Sequence, residues 1–461
     1  MSAICGIVGY SDLPPQQDAL ERMMRAMSRH GPDGSGRWQD QSVGFGHQMR
    51  HTTPESLDEQ LPLHHSESRL TITSDARLDN REDLAGALGI SLRDGMSDSE
   101  LILQAFLKWG KDCAQHLVGE FAFAIWDGRD RCLHCFTDPM GLRPLFYREM
   151  PGKYLAFASE VVSLLALSDA PPPVNQRRVA MLGISAMTTY LEPEATCFET
   201  IFRVPAATVL TVDANGKQFC EYWRPDHTKK LHFKSDEECK EAFQEVFYKA
   251  VKARLRSAFP VASLLSGGLD SSGIVAAASE ILAAQNKSLI TISSVPMPAA
   301  QGQVVDEREY IDMFKDRPNL EMRYVSAPGR GPFDDLTQLV QSASLCSYTF
   351  QHFLYTALVR AAKAEGARVL LDGYGGEHSA TYNPEGCLAE LCLRARWRTL
   401  ARELRCSDAD HRIKLSAVKG QVLRPLIPYA ALRMFNRHRK FTQMVEYPMQ
   451  AEFVYDVLGQ D

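Results

Sequence analysis

A run of small and polar residues between an apolar stretch and a helical pattern could bind a phosphate group. It reads Ser266-Gly-Gly-Leu-Asp-Ser-Ser272 and follows the apolar residues 261–265. A strand that turns through two glycines into a helix points backbone N–H groups at an anion. Gly267 and Gly268 allow a phosphate to approach the backbone closely, and the carboxylate of Asp270 suits a Mg²⁺ ion carried on phosphates. The Gly-Lys-Ser/Thr ending of a Walker A loop is absent.

The residues around this loop alternate between helical and strand patterns. The patterns predict helices over 236–257, 273–284 and 307–316, and strands over 261–265, 289–295 and 323–325. Such alternation indicates a doubly wound parallel α/β domain. The loop then lies beyond the carboxyl end of a strand, where sheets of this kind bind their ligands.

The first half of the chain is richer in short strand patterns than the second. Helical patterns occur at 16–27 and 97–109, and Asp98 is expected to cap the second helix. The Tyr-Trp-Arg-Pro segment at 222–225 and the charged residues after it mark a domain boundary. We therefore predict an N-terminal domain over 1–225 and a C-terminal domain over 226–461.

Composition narrows the class of protein. The 461 residues are 45% hydrophobic and 23% charged, with a net charge of -6, which is typical of a globular protein and argues against nucleic acid as a partner. No apolar run is long enough for a bilayer, so no membrane partner is expected. The N-terminus lacks the pattern of a signal peptide. We therefore expect a cytoplasmic protein whose eleven cysteines are reduced.

Several motifs occur in an order that resembles the glutamine-dependent asparagine synthetase superfamily. These motifs are Cys5-Gly-Ile-Val-Gly, Gly31-Pro-Asp-Gly-Ser-Gly36, 119–126, Asp138-Pro-Met-Gly-Leu-Arg-Pro-Leu145, Phe157-Ala-Ser-Glu160, the loop 266–272, Asp306-Glu307 and 370–377. The resemblance covers nearly the whole chain. It implies an α/β protein with an N-terminal glutaminase-type αββα sandwich, like that of N-terminal nucleophile hydrolases, followed by an ATP-pyrophosphatase domain.

The resemblance also implies roles for residues of the C-terminal domain. Asp270 and Glu377 would hold Mg²⁺, and Tyr374 would help to deprotonate an attacking amine, unless its ring packs on the adenine or in the core. Asp306 and Glu307 could serve the same site or cap a helix. The residues implied in ATP and pyrophosphate binding are Leu265, Ser266, Gly267, Gly268, Leu269, Asp270, Ser271, Ser272, Gly373, Tyr374 and Gly375.

The N-terminal domain departs from the pattern of glutamine-using members. Cys5 follows Ser2-Ala3-Ile4 and so lacks the free amine that would activate it, and Ser2 is expected to be out of register with the site. Asp75 stands where the family has an asparagine that donates to an oxyanion, and one lost donor costs ~3 kcal/mol of transition-state stabilisation. His30 replaces an arginine, whereas Asp98, which would hold the glutamine amine, is retained. We expect an inactive domain with Cys5 as a vestigial nucleophile.

These observations predict an ATP-dependent amide-forming ligase that releases AMP and pyrophosphate. With the glutaminase disabled, the first choice is a lasso-peptide cyclase, which closes a macrolactam as β-lactam synthetases close their ring. Its substrate would be a small precursor peptide, with a precursor-processing protease or leader-binding protein as a further partner. The alternatives are a glutamine- or ammonia-dependent asparagine synthetase and a non-catalytic nucleotide- or peptide-binding scaffold. Relatives continue beyond residue 461 through a segment with a catalytic lysine, so the chain is expected to be C-terminally truncated.

Overall fold

A computed structural model describes most of the chain. The described residues are 1–10, 18–184, 191–226, 228–297, 305–334, 351–376, 387–406 and 418–423. None of the helices within these ranges is long and apolar enough to cross a bilayer.

The N-terminal part contains two six-stranded sheets. Their strands are β1 (Ala3–Gly9), β2 (Gly34–Asp40), β3 (Val43–Met49), β4 (Leu63–His65), β5 (Leu70–Leu78), β6 (Gly119–Asp127), β7 (Cys132–Thr137), β8 (Phe146–Met150), β9 (Tyr154–Ala158), β10 (Ile201–Arg203), β11 (Thr208–Asp213) and β12 (Gly216–Glu221). The first sheet has the order β10-β8-β9-β1-β3-β2 and the second β12-β11-β7-β6-β5-β4, with antiparallel pairing throughout. Apolar side chains such as Phe45, Ala124, Leu133 and Phe157 fill the space between the two sheets.

Helices cover the outer faces of these sheets. They are α1 (Ala19–Ala26), α2 (Arg81–Leu88), α3 (Asp98–Trp109) and α4 (Val161–Leu165), and a further helix, α5 (Gln176–Ile184), follows in the chain. Met23 and Leu164 pack against the first sheet, while Leu101 and Phe106 pack against the second. The predicted αββα sandwich is confirmed.

The cap of α3 differs from the prediction. Ser97, and not Asp98, is the N-cap: its hydroxyl accepts the Glu100 N–H at 3.2 Å, and the Glu100 carboxylate accepts the Ser97 N–H at 2.8 Å. This reciprocal arrangement satisfies two N–H groups of the first turn. Asp98 is the first residue of the helix, and its side chain is buried, which leaves its carboxylate for other partners.

The C-terminal part is the predicted parallel α/β domain. Its elements are α6 (Asp236–Arg254), β13 (Val261–Leu264), α7 (Leu269–Ala283), β14 (Leu289–Ser294), α8 (Arg308–Ile311), β15 (Leu320–Val325), α9 (His352–Ala364), β16 (Val369–Leu371), α10 (Cys387–Leu393) and α11 (Trp397–Cys406). The strands pair in parallel in the order β15-β14-β13-β16. Val275 of α7 packs on one face of this sheet and Leu358 of α9 on the other, so the sheet is covered on both sides.

Candidate active site

The predicted phosphate-binding loop lies between β13 and α7. The Ser271 hydroxyl accepts the backbone N–H of Ser266 at 3.0 Å, and the two hydroxyl oxygens lie 2.8 Å apart. The Ser266 hydroxyl also accepts the N–H of Gly268 at 3.2 Å. These bonds tie the loop to the first turn of α7, where a helix N-terminus attracts anions.

The opposite side of the site is formed by the residues that follow β16. Asp372 accepts the N–H of Tyr374 at 2.8 Å in a tight turn. Gly373 packs directly on the loop, because a Cβ at this position would lie 2.7 Å from the backbone nitrogen of Ser271. Only glycine therefore allows the two chain segments to approach so closely.

A cavity of about 300 Å³ lies between these two segments, a volume at the lower end of the range for small-molecule sites. The predicted residues that line it are Leu265, Ser266, Gly268, Asp270, Ser271, Gly373 and Tyr374. The predicted residues Gly267, Leu269, Ser272 and Gly375 belong to the same two segments and are not among its lining residues. The cavity joins the carboxyl ends of neighbouring parallel strands, as expected for a sheet of this type.

The sequence interpretation missed other residues of this cavity. Leu264, Ile292 and Leu358 supply an apolar side, and Ser294 and Asp372 add polar groups. Ile292 and Ser294 end the strand next to β13, so the rule that strand ends share one edge could have found them. Leu358 comes from α9, whose position depends on packing distant in sequence.

Asp270 lies half-buried in the first turn of α7. A Cβ at Gly376 would lie within 2.3–2.6 Å of its carboxyl atoms, so the backbone of Gly376 contacts the carboxylate. Glu377, the other predicted magnesium ligand, lies outside the described residues. Across the described part of the chain, no group of three His, Cys, Asp or Glu side chains could hold a metal ion. A carboxylate on the phosphate loop nevertheless suits Mg²⁺, which binds through one or two carboxylates and phosphate oxygens.

Tyr374 is 90% exposed at the mouth of the cavity. Its ring does not pack in the core, which removes that alternative and leaves its hydroxyl accessible to a substrate. Glu307 also belongs to this region: its carboxylate accepts the Gly267 N–H at 3.2 Å. The Gly267 N–H, which could donate to a phosphate oxygen, is thus already bonded to Glu307.

A second, smaller pocket lies in the N-terminal domain. Its volume is about 30 Å³, far below the several hundred cubic ångströms typical of ligand sites. Its walls include Met1, Ser2, Arg50, Glu59, Asp75, Asp98 and Arg143. Burial raises the pKa of Glu59 and lowers the pKa of the Met1 α-amino group to about 6, because both charged forms are poorly solvated there.

Arginine side chains contact two of the three carboxylates that line this pocket. Arg143 lies 3.4 Å from Asp75. Asp98 accepts the backbone N–H of Leu78 at 3.0 Å, contacts Arg81, and binds Arg256 at 2.9 Å. The carboxylate that the resemblance assigns to a glutamine amine is therefore bound to guanidinium groups.

The structure places Cys5 in the core and Ser2 in the pocket wall. Cys5 is fully buried in the middle of β1, opposite Gly46, and is not among the residues of the pocket. Burial raises the pKa of its thiol, so it is an inert core residue. Ser2, expected to be out of register, lies in the pocket wall, and its hydroxyl accepts the Arg50 N–H at 3.0 Å. His30, the milder departure, lies 2.8 Å from Glu160.

Two domain families match this architecture. A glutamine amidotransferase domain matches residues 4–223, and an asparagine synthase domain matches residues 242–453. The chain is thus similar, part by part, to a glutamine amidotransferase domain followed by an asparagine synthase domain. It is similar over 282 residues, with 32% identity, to asparagine synthetase [glutamine-hydrolyzing] 3 of Bacillus subtilis (strain 168), a match that covers 60% of this chain and 45% of that protein.

Relatives with other names also match. Amidase chyE of Penicillium rubens is 25% identical over 379 residues, covering 79% of this chain and 55% of that protein. Asparagine synthetase [glutamine-hydrolyzing] 1 of Bacillus subtilis is 29% identical over 287 residues, covering 60% of this chain and 44% of that protein. The chain thus spans about half the length of the curated relatives that it matches.

Proposed function

We propose that the protein is an ATP-dependent amide-forming ligase. A carboxylate of the substrate attacks the α-phosphorus of ATP, which forms an acyl-adenylate and expels pyrophosphate; an amine then attacks the acyl carbon and expels AMP. The observation that carries this proposal is the cavity between the loop 266–272 and the segment 372–376, at the carboxyl ends of β13, β14 and β16.

The residues of the cavity divide into an apolar and an anion-binding side. Leu264, Ile292 and Leu358 offer an apolar surface for a base. The N-terminus of α7 and the hydroxyl of Ser266 offer donors to the departing pyrophosphate, where negative charge develops in the reaction. Mg²⁺, bound through Asp270 and Glu377, would supply further neutralisation of the phosphate charge.

The amine is proposed to come from the substrate itself. In the N-terminal domain, arginines contact the carboxylates of Asp75 and Asp98, two of the residues that line the pocket of about 30 Å³. A substrate that carries both the carboxylate and the amine would form a lactam. Tethering the two groups raises the effective concentration of the amine at the acyl carbon. Tyr374, exposed at the mouth of the cavity, is accessible to a substrate as large as a peptide.

The proposed substrate is therefore a small precursor peptide whose N-terminal amine is joined to an Asp or Glu side chain, as in lasso-peptide cyclases. A precursor-processing protease or a leader-binding protein is the corresponding partner. The names of relatives favour a second candidate, an asparagine synthetase that takes ammonia from glutamine or from solution.

One assay separates these candidates. The protein is incubated with ATP and Mg²⁺, and with either aspartate plus glutamine or ammonium, or a precursor peptide encoded beside its gene. AMP formed only with the peptide, and a peptide lighter by one water, supports the lactam synthetase. AMP and asparagine formed from aspartate support the second candidate. Absence of AMP in both reactions contradicts the ligase. Asp270→Asn serves as the control that should remove turnover and leave the fold intact, because it removes a carboxylate and not a core group.

A further inference from the structure

The two strands that carry the proposed ATP site run side by side. β13 and β16 pair in parallel, with Val261 opposite Val369. β13 leads into the loop 266–272, and β16 leads into the segment 372–376. Both strands begin at the surface of the N-terminal sandwich, and an arginine precedes each of them.

Arg368 directly precedes β16 and binds the N-terminal domain. Both of its terminal nitrogens contact the carboxylate of Asp33, one of them at 2.9 Å, and Nη1 also donates to the carbonyl oxygen of His51 at 2.9 Å. The guanidinium stacks 4.0 Å above the ring of Phe259. This two-pronged geometry fixes the direction of the side chain as well as its position.

Arg256 lies in the segment between α6 and β13 and makes the equivalent attachment. It donates to Glu55 at 2.7 Å, to Asp98 at 2.9 Å and to the carbonyl oxygen of Leu78 at 2.9 Å. Two residues later, the backbone N–H of Ala258 donates to the carbonyl oxygen of Thr52 at 2.9 Å. The start of β13 is therefore held by the sandwich through both side chain and backbone.

We infer that Arg256 and Arg368 are positioning residues and that the amidotransferase-like domain is the platform that holds the two halves of the ATP site in register. The inference rests on the proposed use of ATP at this site. The carboxylate of Asp98, which could have held a substrate amine, instead holds a cation of the synthetase domain. The N-terminal domain thereby contributes to adenylation through its contacts, without chemistry of its own.

The geometry explains why these contacts reach the site. Arg368 is separated from Asp372 only by the short strand β16, a span of roughly 13 Å at about 3.3 Å per strand residue. At the carboxyl end of β16 the two segments are in close contact, because a Cβ on Gly373 would lie 2.7 Å from the Ser271 nitrogen. A small displacement of β16 against β13 must therefore change the distance between the two segments that bind ATP.

The test compares Arg368→Ala with Asp33→Asn, two substitutions in different domains that break the same contact. Lys249→Ala is the matched control, since Lys249 also bridges the two domains, to Asp83 at 3.8 Å, but is exposed. The dissociation constant for ATP–Mg²⁺ is measured by titration. Hydrogen exchange is followed, without nucleotide, in peptides covering 266–272 and 372–376.

Both interface variants should bind ATP about tenfold more weakly, equivalent to ~1.4 kcal/mol, and should exchange faster in these two peptides alone. Arg368→Lys keeps the charge but loses the two-pronged contact, and it should bind ATP with an affinity between those of Arg368→Ala and the wild type, which a merely unfolded variant would not do. Lys249→Ala should match the wild type. The inference is overturned if both peptides exchange hydrogen at the wild-type rate in Arg368→Ala and in Asp33→Asn. Absence of ATP binding by the wild type overturns the proposed function instead, and the exchange data still decide the inference.

Discussion

Arg256 reaches from the segment before β13 to Asp98 at the start of α3, with Nη2 2.9 Å from Oδ2. Arg81 contacts the other oxygen of the same carboxylate, whose side chain is only 6% exposed. A glutamine amine at Asp98 would have to share this carboxylate with two guanidinium groups and the backbone N–H of Leu78. The pairing therefore supports the proposal that the amine does not come from glutamine.

Asp98→Ala should lower the stability of the protein. Removing one partner from a buried ion pair leaves the other charge uncompensated and costs about 3 kcal/mol. Urea unfolding measures the change. Asp83→Ala is the control, because its exposed pair with Lys249 should contribute less than about 1 kcal/mol. Equal stability of the two variants would show that Asp98 does not anchor the interface.

Cys5 should not react in the folded protein. Its thiol is fully buried, and burial raises its pKa, whereas Cys220 and Cys239 are exposed. After treatment with iodoacetamide, mass spectrometry should find the two exposed cysteines alkylated and Cys5 unmodified. Cys5→Ala should leave any amide synthesis unchanged. Glutamate release from glutamine that disappears in Cys5→Ala would contradict this assignment and favour a glutamine-dependent enzyme.

Glu307→Gln should strengthen ATP binding. The Glu307 carboxylate accepts the Gly267 N–H at 3.2 Å, and its negative charge opposes a phosphate at the same loop. The neutral amide removes this repulsion, and the dissociation constant for ATP should fall about fivefold, or ~1 kcal/mol. Asp306→Asn is the control, because Asp306 pairs with Arg308 instead. Weaker binding in Glu307→Gln would mean that this carboxylate supports the phosphate site.

The Asp33–Arg368 contact should make stability depend on pH in the acid range. Hydrogen bonding from Arg368 holds the pKa of Asp33 below its usual value. In the unfolded chain this pKa is about 3.9, so the stabilisation is fully present above that pH and is lost as pH falls through the lower native pKa. Urea unfolding should show that Asp33→Asn is less stable than the wild type at pH 6, with the difference shrinking below pH ~4. A difference that persists undiminished at pH 3 would contradict the pairing.

Local patterns were sufficient for much of the site. The seven-residue loop and the alternation of strand and helix predicted both the turn between β13 and α7 and its place on the sheet. The edge strand β2 has no strand pattern in its sequence, because Gly34, Gly36 and its exposed polar residues lack apolar alternation. Helix patterns located α3 but assigned its cap to Asp98 instead of Ser97, since both residue types favour that position.

Contacts between residues far apart in the chain could not be predicted from the sequence. Asp98 and Arg256 are 158 positions apart, and Asp33 and Arg368 are 335 positions apart. Nothing in the spacing of either pair predicts a contact, because each contact depends on how the N-terminal and C-terminal parts of the chain pack together. The same reason applies to Cys5: its motif and its missing free amine predicted a vestigial nucleophile, but only the strand pairing of β1 shows that the thiol lies in the core.

Gly373→Ala should abolish ATP binding without unfolding the protein. The added methyl group would lie 2.7 Å from the Ser271 nitrogen and 3.1 Å from its Cα, and backbone at the start of a helix cannot move aside as a flexible side chain can. The segment 372–376 must then shift away from the loop and widen the cavity. Gly273→Ala is the matched control on α7, since its methyl would meet only the Phe247 ring at 3.8 Å; alanine also favours a helix interior. Titration with ATP–Mg²⁺ should show binding in Gly273→Ala and none in Gly373→Ala, while both retain the wild-type circular dichroism spectrum. Wild-type affinity in Gly373→Ala would show that ATP does not require contact between these two segments.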